Sequence, residues 1–288
     1  MFSHHLTEPK NPERVVLLGA NGFIARATLG KLNYAGINCL EITREVVDLA
    51  EDNCVERLRD VLRPKDLIIF FAAKAPAKTN DDVVYNLRIA SNVCKAVPPD
   101  LISGLIYVSS DAVYSDSDQP LTERSITAPS SLHGIMHFGR EIMLANIYAE
   151  KLLIVRPTLV FGEGDPHNGY GPNRFLRETR GSKTINLFGG GEERRDHVWV
   201  EDVADVISLA CRFQTRGVLN IATGAVLSFL EIAEMFAKVF DDIQIIKSKR
   251  VGDMPHRGFR PFDTTLLKVG FPDISLKSVD DWVSGLSK

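Results

Sequence analysis

The sequence lacks the features that would place the protein in a membrane, on a membrane surface or on nucleic acid. No apolar run approaches the roughly 18 residues that a membrane-spanning helix requires. The start of the chain, MFSHHLTEPKNPER, contains no apolar signal core. The net charge is −3, so there is no excess of positive charge to attract nucleic acid or an anionic membrane. We therefore expect neither of these partners.

Cysteine is also scarce, and internal repeats and low-complexity tracts are absent. Widely separated thiols without a CxxC pair are typical of proteins kept in a reduced state, which predicts a cytoplasmic protein. The length of 288 residues suits one large domain or two interlocked lobes. The cysteines are Cys39, Cys54, Cys94 and Cys211.

The first 160 residues show a regular alternation of short apolar segments and helical segments. This alternation predicts right-handed crossovers and a parallel sheet, and the near-continuous apolar strands indicate that both faces of the sheet are covered. The predicted fold class is therefore a doubly wound α/β fold, which binds ligands at the carboxyl ends of its strands. The predicted strands are 14–20, 37–43, 66–73, 104–109 and 152–157, and the predicted helices are 23–34, 51–62, 81–97 and 132–150.

Beyond residue 160 the pattern changes. The segment GEGDPHNGYGP at 162–172 is rich in glycine and polar residues, which is typical of a loop that faces a ligand or links two lobes. Shorter elements follow, with predicted strands at 184–188, 197–200 and 217–223 and a capping box formed by Ser228 and Glu231. We expect a flexible N-terminus (1–13), a dinucleotide-binding domain (14–160, with returning segments near 197–222) and a smaller C-terminal α/β lobe for the substrate (161–288).

A glycine-rich loop, GANGFIA at 19–25, joins the first strand to the first helix. Its glycines permit a tight turn and a close approach of the backbone to a pyrophosphate, which the amino end of the helix attracts through its N–H groups. A lone glycine pattern is weak evidence, but here a strand precedes the loop and a helix follows it. The alternative is an ordinary glycine turn. The predicted cofactor-binding residues of this loop are Gly19, Asn21, Gly22, Phe23 and Ile24.

The end of the second strand, Glu41-Ile42-Thr43-Arg44, bears on the choice of cofactor. An acidic residue at this tip usually binds the ribose hydroxyls of NAD(H), whereas an arginine accommodates the 2′-phosphate of NADP(H). Arg44 lies at the tip and Glu41 within the strand. The sequence therefore favours NADP(H), with NAD(H) as the alternative, unless Arg44 is only a solvated surface charge.

Several longer motifs make a family resemblance specific. They are FFAAK at 70–74, YVSSDAVYS at 107–115, RPTLVFG at 156–162 and GGGEERRDHVWVEDVA at 189–204, together with the glycine loop. Over about residues 14–285 the chain resembles the extended short-chain dehydrogenase/reductase family of nucleotide-sugar epimerases, dehydratases and ketoreductases. ITREVVDLAEDNCVERL is most similar to the GDP-fucose synthase and dTDP-4-dehydrorhamnose reductase branch. The resemblance implies a Rossmann-type sheet, a nicotinamide cofactor, a nucleotide-sugar substrate and a homodimer built on helices 81–97 and 132–150.

The resemblance also implies roles for single residues. Ser110 matches the catalytic serine or threonine, whose hydroxyl bonds the reacting sugar oxygen, and Asp111 matches an acid that dehydratases use. Arginine is a strong bidentate partner of phosphate, although Arg195 and Asp196 are alternatively only a local ion pair. The further matching positions are Asp48 and Leu49 beside the adenine, Ala72, Ala73 and Lys74 under the cofactor, Asn86 behind the active site, and Asn173, Arg195 and Arg260 at the nucleotide diphosphate.

One motif departs from the family. Its members carry YxxxK and then a glutamate four residues after the lysine, whereas HGIMHFGRE sets His133 at the tyrosine, His137 at the lysine and Glu141 at the glutamate. A histidine with an ordinary pKa near 6.5 exchanges protons at neutral pH without help from a lysine. His137 is harder to explain, because the lysine also binds the nicotinamide ribose and histidine is shorter and often neutral.

Four hypotheses remain open for this site. His133 is the acid/base of an active enzyme, assisted by Ser110, or the proton comes from Asp111 or from a water on Ser110. Alternatively the protein binds cofactor or sugar without turnover, or the two histidines share a metal ion. There is no HExxH and no evident third ligand, so we predict no metal.

The function that these patterns favour is an NAD(P)-dependent oxidoreductase of a nucleotide-linked sugar, most simply a 4-keto-sugar reductase with His133 in place of the usual tyrosine. A nucleotide-sugar 4-epimerase with tightly bound NAD is the alternative enzyme. A non-catalytic cofactor- or sugar-binding member of the family is the alternative from another class.

Overall fold

The computed structural model describes residues 2–286. Strands and helices alternate along most of the chain, with three short 3-10 turns at 111–113, 149–151 and 255–258. The strands are β1 (Ser3–His4), β2 (Val15–Leu18), β3 (Cys39–Ile42), β4 (Leu67–Phe70), β5 (Gly104–Val108), β6 (Leu152–Pro157), β7 (Leu159–Phe161), β8 (Thr184–Phe188), β9 (Arg194–Trp199), β10 (Thr215–Ile221), β11 (Val226–Ser228), β12 (Gln244–Ser248) and β13 (Phe259–Arg260). The helices are α1 (Phe23–Tyr34), α2 (Cys54–Val61), α3 (Asn80–Ala96), α4 (Leu132–Tyr148), α5 (Pro172–Gly181), α6 (Val200–Phe213), α7 (Phe229–Val239), α8 (Thr265–Gly270) and α9 (Val279–Ser284).

The main sheet has seven strands in the order β1-β10-β6-β5-β4-β2-β3. All neighbouring pairs are parallel except β1 with β10. The predicted doubly wound α/β fold is therefore confirmed. The strand order reverses beside β2, because β3 lies on one side of it and β4 on the other. In such a sheet the ligand crevice opens at the carboxyl ends of the strands around this point.

Two apolar cores cover the two faces of this sheet. Val15 and Leu17 of β2 point into a core shared with α1 and α6, whereas Val16 and Leu18 point into a core shared with α2, α3 and α4. All four of these side chains are buried. Burial on both faces explains why the strands are continuously apolar in sequence.

The N-terminal residues, which the sequence predicts to be flexible, contain a short strand at the sheet edge. His4 of β1 is hydrogen bonded through Nδ1 to the Thr215 hydroxyl and through Nε2 to the Gly270 carbonyl, each at 2.8 Å. Its ring stacks on Phe213, with 4.6 Å between centroids. Aromatic contact and edge pairing thus hold part of a segment that its polar composition alone marks as loose.

The smaller lobe is built around β9, which pairs with β7, β11 and β13, and around the parallel pair β8 and β12. Its apolar core includes Phe175, Phe229, Phe236 and Trp282. The predicted strand at 197–200 is displaced, because β9 begins at Arg194 and Val200 already belongs to α6. The polar start of β9 is tolerated because its buried charges have partners: Asp196 accepts hydrogen bonds from Thr158 and Thr223, and Arg195 donates one to Glu193.

Candidate functional site

A cavity of about 400 Å³ opens at the carboxyl ends of β2, β3 and β4. Gly19 adopts φ +88°, and a Cβ atom there would lie 2.6 Å from Ala72 Cα, so only glycine fits. Gly22 precedes helix α1 as its N-cap and supplies no side-chain hydrogen bond, so the first N–H groups of the helix are available to a ligand. The predicted cofactor residues that line this cavity are Gly19, Asn21, Gly22, Arg44, Asp48, Leu49, Ala72 and Ala73.

The end of β3 presents two opposite charges to this cavity. Arg44 lines it with a side chain that is 74% exposed and only loosely paired with Asp48, at 3.9 Å. Glu45, which sequence reasoning passed over, lines it as well, whereas the exposed Glu41 is not among the lining residues. Arg44 is therefore free to turn toward a ligand phosphate, and Glu45 supplies a carboxylate at the same place.

A second cavity of about 460 Å³ continues from the first, because Gly22, Phe71 and Ala73 line both. The structure also brings Asp165 and His167 from the glycine-rich loop into its wall. Only the composition of that loop pointed to a ligand, and it did not single out these two side chains. The predicted site residues that line this cavity are Phe23, Ile24, Ser110, Asp111, His133, His137, Asn173 and Arg195.

The start of α4 is packed unusually closely against the turn that follows β5. Ser131 caps the helix by accepting a hydrogen bond from the Gly134 amide at 3.1 Å. A Cβ atom on Gly134 would lie 2.1 Å from the Ala112 carbonyl oxygen, so a glycine is required for this approach. The contact places His133 and His137 in the same cavity wall as Ser110.

His133 has an unsatisfied ring nitrogen. Its Nδ1 is buried and has no hydrogen-bond partner. Burial lowers the pKa of His133, the charge of His167 lowers it further, and the carboxylate of Asp111 acts in the opposite direction. His133 is therefore mainly neutral at pH 7, and its imidazole can accept a proton there.

His137 is buried beside His133, with 4.7 Å between the ring centroids and an edge-to-face arrangement. Its Nδ1 lies 2.7 Å from the hydroxyl of Tyr107. Burial, His133 and Arg140 together hold the pKa of His137 well below its usual value. A neutral imidazole thus stands where the resemblance predicts a charged lysine.

Glu141 connects α4 to the main sheet through buried hydrogen bonds. Its carboxylate accepts two hydrogen bonds from Arg156 of β6, at 3.0 and 2.6 Å, and one from the Ser109 hydroxyl at 2.5 Å. All three side chains are buried. Breaking one partner of such a buried pair is strongly destabilising, because the other charge is left without compensation.

Two arginine side chains lie close to the carboxylate of Asp111. Arg260 Nε donates to its carboxylate at 2.9 Å, and Arg195 lies 3.9 Å from the same oxygen. In this pairing Asp111 acts as an acceptor, which disfavours the hypothesis that it donates the proton.

Arg260 itself is fully buried and lines neither of the two cavities. It also bonds Asp116 and the carbonyls of Asp111 and Tyr114. Its predicted contact with a diphosphate would require these bonds to be exchanged.

Lys74 contributes its backbone to the loop after β4. The side-chain amide of Asn86 accepts a hydrogen bond from the Lys74 N–H at 2.8 Å and donates to its carbonyl at 2.9 Å. The Lys74 ammonium pairs with Asp82 at 2.7 Å and lines neither cavity. Asn86 therefore supports the loop under the predicted cofactor, and the Lys74 side chain points away from it.

His133 and His137 lie four residues apart on one helix, a spacing at which two histidines can share a metal ion. Among residues 2–286, no three histidine, cysteine, aspartate or glutamate side chains come together as metal ligands. The same residues contain no helix long and apolar enough to cross a membrane.

Known proteins share both the sequence pattern and the fold. The chain is 23% identical to the N-acetyl-α-D-glucosaminyl-diphospho-ditrans,octacis-undecaprenol 4-epimerase of Escherichia coli O157:H7, over 74% of this chain and 65% of that protein. It is also 23% identical to a trifunctional UDP-glucose 4,6-dehydratase/UDP-4-keto-6-deoxy-D-glucose 3,5-epimerase/UDP-4-keto-L-rhamnose-reductase of Arabidopsis thaliana, over 96% of this chain and 46% of that protein. The chain thus spans about one half to two thirds of the length of these curated relatives.

Two solved structures show the likeness of fold. The Thermus thermophilus UDP-glucose 4-epimerase in complex with NAD superposes with a TM-score of 0.78 at 21% identity, covering 94% of this chain and 96% of that one. The Naegleria fowleri GDP-L-fucose synthetase bound to NADP superposes with a TM-score of 0.81 at 14% identity, covering 96% of this chain and 93% of that one.

The family profile described as NAD dependent epimerase/dehydratase matches residues 15–222. That range contains the glycine loop, the Ser110 turn, the start of α4 and the buried core of the main sheet. The chain therefore belongs to the NAD dependent epimerase/dehydratase family.

Proposed function

We propose that the protein is an NADP(H)-dependent reductase of a nucleotide-linked 4-keto sugar, in which His133 exchanges the proton. The observation that carries this proposal is the continuity of the two cavities. One trough runs from the Gly19 loop to a wall that contains both Ser110 and His133. Hydride transfer to a carbonyl needs a cofactor beside the carbonyl carbon and a proton donor at its oxygen, and this trough provides for both.

The residues of the first cavity fit a nicotinamide dinucleotide. The positive φ of Gly19 and the uncapped start of α1 allow backbone N–H groups to hold a diphosphate. Arg44 is placed to pair with a 2′-phosphate, which favours NADP(H), while Glu45 and Asp48 suit ribose hydroxyls. The bound cofactor supplies the hydride. The protein itself binds the cofactor and supplies the proton.

Ser110 and His133 have different roles at the reacting oxygen: Ser110 donates a hydrogen bond and His133 supplies the proton. The Ser110 hydroxyl accepts a hydrogen bond from the Ala112 amide at 3.2 Å, which fixes its oxygen. Its proton makes only a long hydrogen bond to Asp111 Oδ1, at 3.5 Å, which a substrate oxygen can replace. His133 gives its proton to the oxygen as the carbonyl is reduced and takes a proton up again from solvent.

Arg195 links the reaction cavity to a further cavity of about 650 Å³, which Tyr170, Phe188 and Arg250 also line. This is where we place the nucleotide of the substrate. Asn173 supports the region from behind, since its side chain accepts a hydrogen bond from the Gly162 amide at 2.9 Å.

The test is a fluorescence titration of nucleotide-free protein with NADPH and with NADH, followed by NADPH consumption with nucleotide-linked 4-keto sugars. A preference for NADPH together with turnover supports the reductase. Tight binding of NADH without net consumption of cofactor moves the assignment to a 4-epimerase. Binding without any hydride transfer identifies a non-catalytic member of the family, and binding of neither cofactor refutes the proposal.

We also propose that the protein forms a homodimer through α3 and α4. Four large apolar side chains on these helices are exposed, namely Val84, Ile135, Ile142 and Ile147. Paired copies of the two helices would bury them. Sedimentation equilibrium of the protein and of an Ile142→Glu variant tests this, and a monomer at micromolar concentration for the unaltered protein would contradict it.

A further inference from the structure

The cavity in which we place the nucleotide contains a buried carboxylate. Glu193 lines this cavity of about 650 Å³ and directly precedes β9. Its side chain points to the same face as that of Arg195, since side chains two residues apart along an extended chain share a face. Arg195 Nη1 donates a hydrogen bond to Glu193 Oε1 at 3.2 Å, and both residues are buried. Among residues 2–286 no donor bonds the other oxygen, Oε2, which is therefore available to a ligand.

The residues along the trough occur in the order of the parts of a nucleotide-linked sugar. Arg195 lines both the reaction cavity and the nucleotide cavity, whereas Glu193 lines only the second. Tyr170 and Phe188 also line only the second, and their rings, 4.5 Å apart between centroids, offer an aromatic surface on which a base can stack. With the sugar beside Ser110 and the diphosphate on Arg195, the next group of the ligand is the ribose. Glu193 lies beside that group.

The charge of Glu193 restricts the part of the ligand that it can contact. A diphosphate carries negative charge and only acceptors, so a carboxylate repels it. A ribose has hydroxyl donors on two adjacent carbons, and a carboxylate is the usual partner of such hydroxyls in dinucleotide sites. A hydrogen bond to a charged acceptor contributes more than one between neutral groups. A ligand without the 2′-hydroxyl therefore loses a strong hydrogen bond at Glu193.

We propose that Glu193 is a specificity-determining residue that accepts a hydrogen bond from the ribose 2′-hydroxyl of the substrate's nucleotide. The inference rests on the placement of the nucleotide in the proposed function, and it adds the class of that nucleotide. The substrate is a sugar linked to a ribonucleoside diphosphate, such as UDP or GDP. Sugars linked to a 2′-deoxyribonucleoside diphosphate, such as dTDP, bind more weakly.

The test compares ribonucleotides with their 2′-deoxy counterparts in the unaltered protein. Isothermal titration calorimetry gives the Kd values of UDP and 2′-deoxy-UDP, and of GDP and 2′-deoxy-GDP. The proposal concerns the ribose, so the pair whose base binds more tightly is the one that decides. We expect the ribonucleotide of that pair to bind at least about tenfold more tightly, the expected worth of one hydrogen bond to a charged group.

Glu193→Ala should reduce this preference to less than about twofold, because the acceptor is removed. Glu192→Ala is the matched control. It removes the neighbouring carboxylate, which is 49% exposed and pairs with Arg250 of the same cavity but does not line the cavity itself, and it should leave the preference unchanged. Glu193→Gln keeps the shape of the side chain and an acceptor for Arg195. Its neutral amide should lower the preference to about threefold, which decides the matter if the alanine variant does not fold.

The outcomes separate this inference from the proposed function. Equal binding of the two members of a pair by the unaltered protein overturns the role of Glu193 and leaves the nucleotide in its cavity. Equal losses of affinity for both members in Glu193→Ala show that Glu193 only positions Arg195. Binding of no nucleoside diphosphate overturns both the inference and the placement of the nucleotide. A preference that is lost in Glu193→Ala, in a protein that oxidises no NADPH with any keto sugar, refutes the reductase and leaves the role of Glu193 standing.

Discussion

The two ends of the trough are built from different parts of the polypeptide. At the Gly19 loop the groups that we propose contact the ligand are backbone N–H groups, so the loop depends on which backbone conformations its residues permit. At the start of α4 the contacts come from the side chains of Ser110, His133 and His137. A backbone site tolerates almost no change at its glycines. A side-chain site can exchange its reactive groups while the scaffold around them persists.

The scaffold at the second end does not depend on the two histidines. Ser131 caps α4, Gly134 allows the close approach to Ala112, and Glu141 and Arg156 pair beneath the helix. None of these contacts involves an imidazole. The position of the cavity wall is therefore set independently of the groups that His133 and His137 bring to it.

The largest effect on cofactor binding is expected from Gly19→Ala, which changes the backbone conformation of the Gly19 loop. An added Cβ must displace Ala72 and would hold φ +88°, at a cost of about 1–3 kcal/mol in the free energy of unfolding. The displaced loop should weaken NADPH binding by at least about a hundredfold, measured by fluorescence titration, since misplacement by about 1 Å has effects of that size.

Gly30→Ala is the control for that change. Gly30 lies within α1, and an added Cβ would have no atom within 4 Å, so alanine should raise the free energy of unfolding by about 0.5–1 kcal/mol and leave cofactor affinity unchanged. Normal NADPH binding by Gly19→Ala would show that the loop is not a backbone site.

His133→Ala removes a reactive side chain from the other end of the trough. We expect kcat to fall by about 10²–10⁴, the usual contribution of a general acid or base, while the Kd for NADPH stays within about twofold. The measurement is steady-state NADPH oxidation with the best keto sugar found. His167→Ala alters an exposed side chain of the same cavity and should reduce kcat far less. An unchanged kcat in His133→Ala would remove His133 from the mechanism.

The pH dependence sharpens the same comparison. Reduction uses the protonated form of His133, whose pKa lies below the ordinary 6.5. The reduction rate should therefore rise by up to about tenfold per unit as the pH falls toward that pKa and level off below it. In the direction of alcohol oxidation the neutral imidazole is needed, so the rate should level off above the pKa instead.

His167→Ala should shift both profiles slightly toward higher pH, because His167 lowers the pKa of His133. Stopped-flow rates between about pH 5 and 8 would show this. Profiles that are flat over the whole range would mean that another group supplies the proton.

The smallest effect is expected from Arg44→Ala, since the Arg44 side chain is mostly exposed. It should lower the affinity for NADPH by about five- to tenfold through the loss of a charge-assisted hydrogen bond, and leave the affinity for NADH within about twofold. Equal losses for the two cofactors would show that Arg44 does not contact a 2′-phosphate. An Arg26→Ala variant controls for the loss of one positive charge on the same lobe.

Most elements of the main sheet were predictable from the sequence. The predicted bounds 23–34 and 152–157 coincide with α1 and β6, and the capping box of Ser228 and Glu231 is present. Burial on both faces of the sheet requires continuously apolar strands, and such runs can be recognised from neighbouring residues in the sequence. The short strands β7, β11 and β13 were not predicted, because two or three residues carry no period and form a strand only when β9 lies beside them.

The residues of the candidate site were likewise predictable only in part. The glycine loop, Ser110 and the histidine pair were found because their motifs are local in sequence. The partners that determine their behaviour come from elsewhere in the chain. Arg260, predicted to hold a diphosphate, is buried against Asp111, 149 residues away in the chain, and the side chain of Lys74 pairs with Asp82.

The sequence by itself determined the doubly wound sheet, the position of the glycine-rich loop and the replacement of YxxxK by HxxxH. These depend on periodicity, on glycine conformation and on residue identity, all of which are local properties. Only the tertiary structure decided that His133 has an unsatisfied nitrogen, that His137 is neutral against Tyr107, and that Asp111 is bound by arginines. Burial and hydrogen-bond partners set the charge and direction of each group, and they arise only when distant segments pack together.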